Sequence, residues 1–281
     1  RLINLPLIVY WMIVADFRCV NFIFCCMRLI FSFFVILCTS LISCSNSYEQ
    51  SQNLEIPLNT IERAENIYHR LGYTVSFNLE LNIPNWVAWE LNSSKLVEKE
   101  SRAGHFYPDP DIPRGIAVET GDYSNSGYDR GHMCPAADNK WDKQAMRESF
   151  YMTNICPQHH NLNRGDWKEL EDDCRRWVEE SGTIYIVCGP ILYKNDISYI
   201  GKERKIRVPN AFFKVILAGL DEGSPRAIGF IYKNASGNNP LDHYVNSVDQ
   251  VERITGLDFF SQLPDDIEDE IESNYNINQW R

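Results

Sequence analysis

The chain has 281 residues, of which 44% are hydrophobic and 23% charged, and it carries a net charge of −11 with a pI near 5.1. These are ordinary globular proportions, enough for one large domain or two small ones. The acidity excludes a surface that is basic all over, but a local basic cleft is enough to meet phosphates.

Residues 1–43 carry only four charges, Arg1, Asp16, Arg18 and Arg28. Met27-Arg28 precedes an apolar run from Leu29 to Ile42, 14 residues long. That length suits the core of a signal peptide and is short for a membrane span. The run ends Leu41-Ile42-Ser43-Cys44, which resembles a bacterial lipobox, where the cysteine is lipidated and becomes the mature N-terminus. Residues 1–44 are therefore expected to be a leader, with Met27 as its start and residues 1–26 as upstream sequence. The expected location is the bacterial cell envelope, lipid-anchored through Cys44 and facing the periplasm or the exterior. A plain transmembrane anchor built from both apolar stretches is the other reading. Residues 45–58 are rich in Ser, Asn and Gln and read as a tether. Residues 59–281 form the expected main domain.

Within that domain, Val75, Phe77, Leu79 and Leu81 alternate with polar residues, as in a half-buried strand, and Trp86–Leu91 reads as its hairpin partner. Residues 92–130 hold few periodic runs, and long irregular stretches of this kind are often functional. A short helix is expected over Asp142–Tyr151. A longer one runs from Asp166 to about Glu180, with Asp166 as N-cap and Glu169 completing a capping box. Its apolar face carries Trp167, Leu170, Cys174 and Trp177. Three runs, 183–189, 211–218 and 227–232, are almost wholly apolar and suit central strands covered on both faces. Helices are expected at Val248–Thr255 and Asp265–Glu272, the acidic second one presenting a solvated face. The expected class is α+β, a central, mostly antiparallel sheet flanked by helices.

Four of the nine cysteines, Cys134, Cys156, Cys174 and Cys188, lie in the main domain. An exported domain permits disulfides between them, and the sequence does not choose among the three complete pairings.

The densest group of chemically capable side chains is Arg102, Asp129, Arg130, His132, Asn154, Asn163 and Glu171. Phosphodiester hydrolysis needs a base for water, a cation at the leaving oxygen and positive groups around the phosphoryl oxygens. His132 suits the base, because imidazole titrates near neutrality. Gly131 lets the backbone approach a substrate closely. Arg130 can pair with a phosphate in a bidentate manner. Asn163 falls on a turn before the helix at Asp166, from which it can fold back toward Glu171. One amide contacting a hydrated Mg²⁺, with Glu171 holding its waters, is chemically sufficient.

The segments Tyr128–Asp138, Phe150–Gln158, Asn161–Trp167 with Leu170-Glu171, and Val248–Phe260 together resemble the DNA/RNA non-specific endonucleases. That resemblance covers about residues 70–265. It implies a ββα-metal (His-Me) finger and cleavage of DNA and RNA to 5′-phosphate oligonucleotides that depends on Mg²⁺, with Mn²⁺ or another divalent cation as the alternative. It assigns His132 as general base, Asn163 as direct metal ligand and Glu171 as the carboxylate ordering the metal's waters. Arg130 and Asn154 occupy positions that support the phosphate and the site geometry. Arg102 matches an upstream arginine that stabilises developing negative charge. Cys134 and Cys156, each two residues past a site residue, form either a disulfide brace or two buried thiols. Two rival readings are a zinc site drawn from His132, Cys134, Cys156, His159 and His160, and an envelope lipoprotein that binds a partner or nucleic acid without cutting it.

Overall fold

The computed structural model describes residues 53–281. The leader, its Cys44 and the tether up to residue 52 lie outside the described residues. The remainder of the expected tether is part of the folded body. Leu54 is buried in the core, and β1 (Leu58–Asn59) pairs with β13 (Leu257–Asp258).

The framework is a seven-stranded sheet built from β2 (Asn66–His69), β3 (Thr74–Asn78), β4 (Ile83–Leu91), β7 (Ile184–Ile191), β10 (Ala211–Ala218), β11 (Arg226–Lys233) and β12 (Val245–Asn246). The strand order is β12-β11-β10-β7-β4-β3-β2, and every pairing is antiparallel. Two small hairpins stand outside it, β5 (Asp129–His132) with β6 (Ile155–Gln158) and β8 (Tyr199–Ile200) with β9 (Ile206–Arg207). The helices are α1 (Lys143–Ser149), α2 (His160–Arg164), α3 (Asp166–Ser181), α4 (Val248–Thr255) and α5 (Asp265–Ser273).

The apolar runs have the physical cause expected of them. In β7, Ile184, Ile186 and Cys188 pack into one core layer with the α3 residues Trp167, Leu170, Cys174 and Trp177. Tyr185 and Val187 point the other way, into a second layer with Val248, Val251, Phe259 and Ile271. Successive side chains alternate across a strand, so a strand covered on both faces is apolar throughout.

Three expectations are corrected. Leu79 and Leu81 are not strand residues, because the Asn78 side chain ends β3 by accepting hydrogen bonds from the backbone N–H groups of Glu80 and Leu81, each at 3.0 Å. Asp142 caps α1 instead of opening it, accepting from Gln144 and Ala145. Asp166 is not an N-cap. Gly165 holds that position, and the buried Asp166 carboxylate accepts from the Asn238 backbone N–H at 2.9 Å and from the Tyr244 hydroxyl.

Phe230 is fully buried in β11 and stacks against Trp177, with ring centroids 6.2 Å apart. Phe230→Ala is expected to lower unfolding free energy by about 3–5 kcal/mol. Urea denaturation checks this, and a loss below about 1 kcal/mol would mean that the sheet and α3 do not pack as described.

Candidate active site

The β5–β6 hairpin carries the Asp-Arg-Gly-His segment. It pairs Asp129 with Gln158 and His132 with Ile155, and α2 and α3 follow β6 in the chain. This is a ββα arrangement. Gly131 is required by packing within the hairpin. A Cβ there would sit 2.2 Å from the Gln158 side-chain oxygen, so its absence serves the hairpin rather than an approaching substrate.

A cleft of about 700 Å³ opens beside the hairpin, and His132, Asn163, Glu171 and Arg102 all line it. Residues far apart in the sequence are thus brought to one wall. Asn163 lies on α2, a five-residue helix, and not on a free turn. Gly165 separates α2 from α3 and brings Asn163 and Glu171 to the same cleft. The Asn163 Nδ2 donates to Asp129 Oδ2 at 2.9 Å. That bond fixes the amide and leaves Oδ1 without a protein partner. Burial pushes the Asp129 carboxyl up, and hydrogen bonds from Asn163 and His160 more than reverse this, holding it below the usual range. Glu171 is half-buried and makes no hydrogen bond to the protein. Burial raises its carboxyl to about 7, against the opposing pull of Lys214. Two unpartnered oxygen donors on one cleft wall fit a hard divalent cation that keeps most of its waters.

The His132 ring is wedged between Phe106 and Phe150, with centroids 5.2 and 4.8 Å away. Its Nε2 is enclosed and has no hydrogen-bond partner, so Nδ1 is the nitrogen that reaches the cleft. Burial, assisted by the Arg102 charge, lowers its pKa to about 3.

Two of the expected residues do not line the cleft. Asn154 is fully buried and takes up the backbone immediately after His132. Its Oδ1 accepts from Cys134 N–H at 2.9 Å, and its Nδ2 donates to the Cys134 and Ser149 carbonyls, both at 2.8 Å. It holds the backbone next to His132 and does not line the cleft. The Arg130 guanidinium stacks 4.9 Å from the Phe106 ring, and its Nε is enclosed and unpaired. It acts through the ring that packs on His132.

Other residues at the cleft are not singled out by the sequence. Arg175, Lys140, Arg164 and Lys168 line it with Arg102, five basic side chains against the acidic Glu98, Glu171 and Asp172. Arg175 lies one helical turn past Glu171, a spacing that could have flagged it. It is held by the buried Asp138 at 2.7 Å, and Asp138 also accepts from Trp89 Nε1 at 3.1 Å.

All four cysteines of the domain are buried and free, so there is no Cys134–Cys156 disulfide. Cys134 Sγ instead accepts from the Asn139 amide. Among the described residues no His/Cys set converges as a zinc site would require.

The depressed pKa of His132 has a consequence for stability. Below pH 6.5 the unfolded chain binds a proton here that the folded chain refuses until about pH 3. This contribution is therefore complete above pH 6.5 and is lost as the pH falls toward 3, at up to ~1.4 kcal/mol per pH unit. In urea-unfolding free energy plotted against pH, His132→Asn is expected to have a shallower acid limb than the parent. Identical limbs would contradict the burial of a neutral imidazole.

Comparison with known proteins agrees with this geometry. The family model described as "DNA/RNA non-specific endonuclease" matches residues 50–266. "Nuclease 1, mitochondrial" of Schizosaccharomyces pombe is 37% identical over 210 residues, covering 69% of this chain and 65% of that protein. "Nuclease EXOG, mitochondrial" of Danio rerio is 38% identical over 206 residues, covering 68% and 60%. "Nuclease" of Nostoc sp. is 38% identical over 213 residues, covering 72% and 75%. The chain thus spans less than two thirds of the first two relatives. Among solved structures, a chain of the EndoG/EndoGI complex superposes with a TM-score of 0.67 at 25% identity, covering 74% of this chain and 90% of that one. The hairpin-and-helix site and the match over residues 50–266 place the chain in the DNA/RNA non-specific endonuclease family, whose members are divalent-metal nucleases of the ββα-metal fold.

Proposed function

We propose that the protein is a Mg²⁺-dependent endonuclease that hydrolyses DNA and RNA without sequence preference, leaving 5′-phosphate ends. The observation that carries this reading is the cleft itself. In an acidic chain its lining carries five basic side chains against three acidic ones, and it brings a buried imidazole together with two unpartnered oxygen donors. Its lining holds no Phe, Tyr or Trp to stack on bases. Such a surface grips the sugar–phosphate backbone, which carries no sequence information and is shared by DNA and RNA.

In this reading His132 Nδ1 takes a proton from the water whose oxygen attacks phosphorus. The bond from phosphorus to the 3′-oxygen breaks, and solvent protonates the departing oxygen. Before substrate arrives, Arg102 opposes protonation of His132. An incoming phosphodiester offsets the Arg102 part of the opposition and leaves the larger part, burial, in place, so the imidazole gains some basicity as the reactant enters. Arg102 and Arg175 supply charge-assisted hydrogen bonds to the phosphoryl oxygens. Asn163 Oδ1 would hold the metal ion, with Glu171 ordering the water around it. When bound, the ion supplies positive charge at the leaving oxygen.

His132→Ala is expected to slow cleavage of plasmid and of RNA by roughly 10²- to 10⁴-fold while the protein stays folded. Asn163→Ala is expected to raise the Mg²⁺ concentration needed for half-maximal rate, and EDTA to abolish cleavage by the parent. Undiminished cleavage by His132→Ala would remove it as the base. A parent that binds nucleic acid with Mg²⁺ present and never cuts it would support the non-catalytic lipoprotein instead.

Export and lipid anchoring form a separate part of the proposal, supported by residues 27–44 alone. The two eukaryotic relatives described above are named mitochondrial, a different compartment. Expressed in a bacterial host with an alkyne-tagged fatty acid, the chain is expected to take up label, and Cys44→Ser to lose it. Equal labelling of both would rule out Cys44 as the anchor.

A further inference from the structure

The second core layer, on the face of the sheet away from α3, carries a polar cluster that the nuclease reading does not use. Val248 and Val251 of α4 and Ile271 of α5 bury their side chains in that layer. Between the two helices lie Asp249 and Glu252, half-buried on α4, and Glu272, in the last turn of α5. Ligand oxygens of the three carboxylates lie within 4.8 Å of one another. Glu272 is only 4% exposed, and its Oε1 is enclosed without a hydrogen-bond partner. This is an exception to the expected solvated face of the acidic helix.

Among the described residues none of the three carboxylates is paired with a basic side chain. Burial first, and then the carboxylates of Glu252, Glu268, Asp258 and Asp249, raise the Glu272 pKa to about 10. Glu252 commits one oxygen, Oε1, to the Phe259 backbone N–H at 2.8 Å and keeps the other. An enclosed carboxyl without a partner either keeps its proton or exchanges that proton for a positive charge. Two oxygens bonded to one Ca²⁺ at 2.3–2.6 Å can stand at most about 5 Å apart. The mutual separation here lies within that limit.

We propose that Asp249, Glu252 and Glu272 form a site for a divalent cation of the calcium class, which ties α4 to α5. Three carboxylates in flexible geometry suit Ca²⁺, whereas Mg²⁺ rarely occupies an all-protein cage. The site has no imidazole and no basic residue to receive phosphate, so its role is structural. It stands whether or not the cleft is catalytic.

The test is thermal unfolding of the protein with and without added Ca²⁺, for the parent and for Glu272→Gln, Asp249→Asn and Asn163→Ala. Calcium at a hundred-fold excess over Kd is expected to raise the parent midpoint by roughly 5–10 °C. Asn163→Ala, altered in the cleft, keeps that rise. Glu272→Gln and Asp249→Asn lose most of it. The proposal is overturned if the parent midpoint does not move at millimolar Ca²⁺. It is also overturned if the rise persists in both carboxylate variants, or if Asn163→Ala alone removes it. Failure of the nuclease reading would appear instead in the cleavage assays, which this measurement does not use.

Discussion

The fully buried amide of Asn154 makes three hydrogen bonds, and the geometry of the site hangs on them. They join the backbone after His132 to the end of α1, across the hairpin that presents the imidazole. The main chain adds a fourth link, from Met133 N–H to the Asn154 carbonyl at 2.9 Å. Buried backbone groups must find partners, and an unpaired one costs about 1–3 kcal/mol. Here a single side chain satisfies one donor and two acceptors at once. The loop beyond His132 is therefore held by a constraint from inside the protein. The imidazole of His132 therefore keeps its place at the cleft without a hydrogen bond of its own.

A second constraint is charge. Lys214 is a central-strand residue with no surface exposure, and its ammonium lies 4.4 Å from the Trp167 ring centroid and 5.7 Å from that of Trp89. Burial works against its charge, and the carboxylates of Glu171 and Asp138 are among the groups that work for it. Stacking over aromatic faces contributes up to about 2 kcal/mol when water is excluded. The cation in the sheet thus backs the carboxylate at the cleft floor. An acidic protein can in this way keep Glu171 poised behind a basic rim without placing a further cation where substrate must pass.

Much of the fold was legible, because periodicity reports burial directly. The runs at 183–189, 211–218 and 227–232 read as strands covered on both faces and coincide with β7, β10 and β11, and α3 declared its packed face by its spacing. Four of the expected site residues, His132, Asn163, Glu171 and Arg102, line one cleft; several ordered segments taken together singled them out, whereas each residue alone reads as an ordinary loop or helix side chain. What stayed hidden depended on distant partners. Asp166 carries a strong local capping signal, yet its carboxylate is claimed by a loop more than 70 residues away. Arg130 belongs to the most specific motif in the chain, and its guanidinium is taken by Phe106. Local pattern gives what a residue can do, and tertiary contact decides which of its options it uses.

Glu272 carries the same lesson into the acidic helix. A run of carboxylates reads as a solvated face because each residue alone would prefer water. The helix must also bury Ile271 against the sheet, and the neighbouring residue is carried down with it. Elsewhere on the same helix, Asp265, Asp266, Asp269 and Glu270 remain exposed. Helical rotation therefore sorts a uniform acidic stretch into a solvated part and one enclosed carboxylate. That carboxylate faces two more on α4. The fold gathers three carboxyl groups at a helix–helix contact, where Glu272 keeps its proton until a cation takes its place.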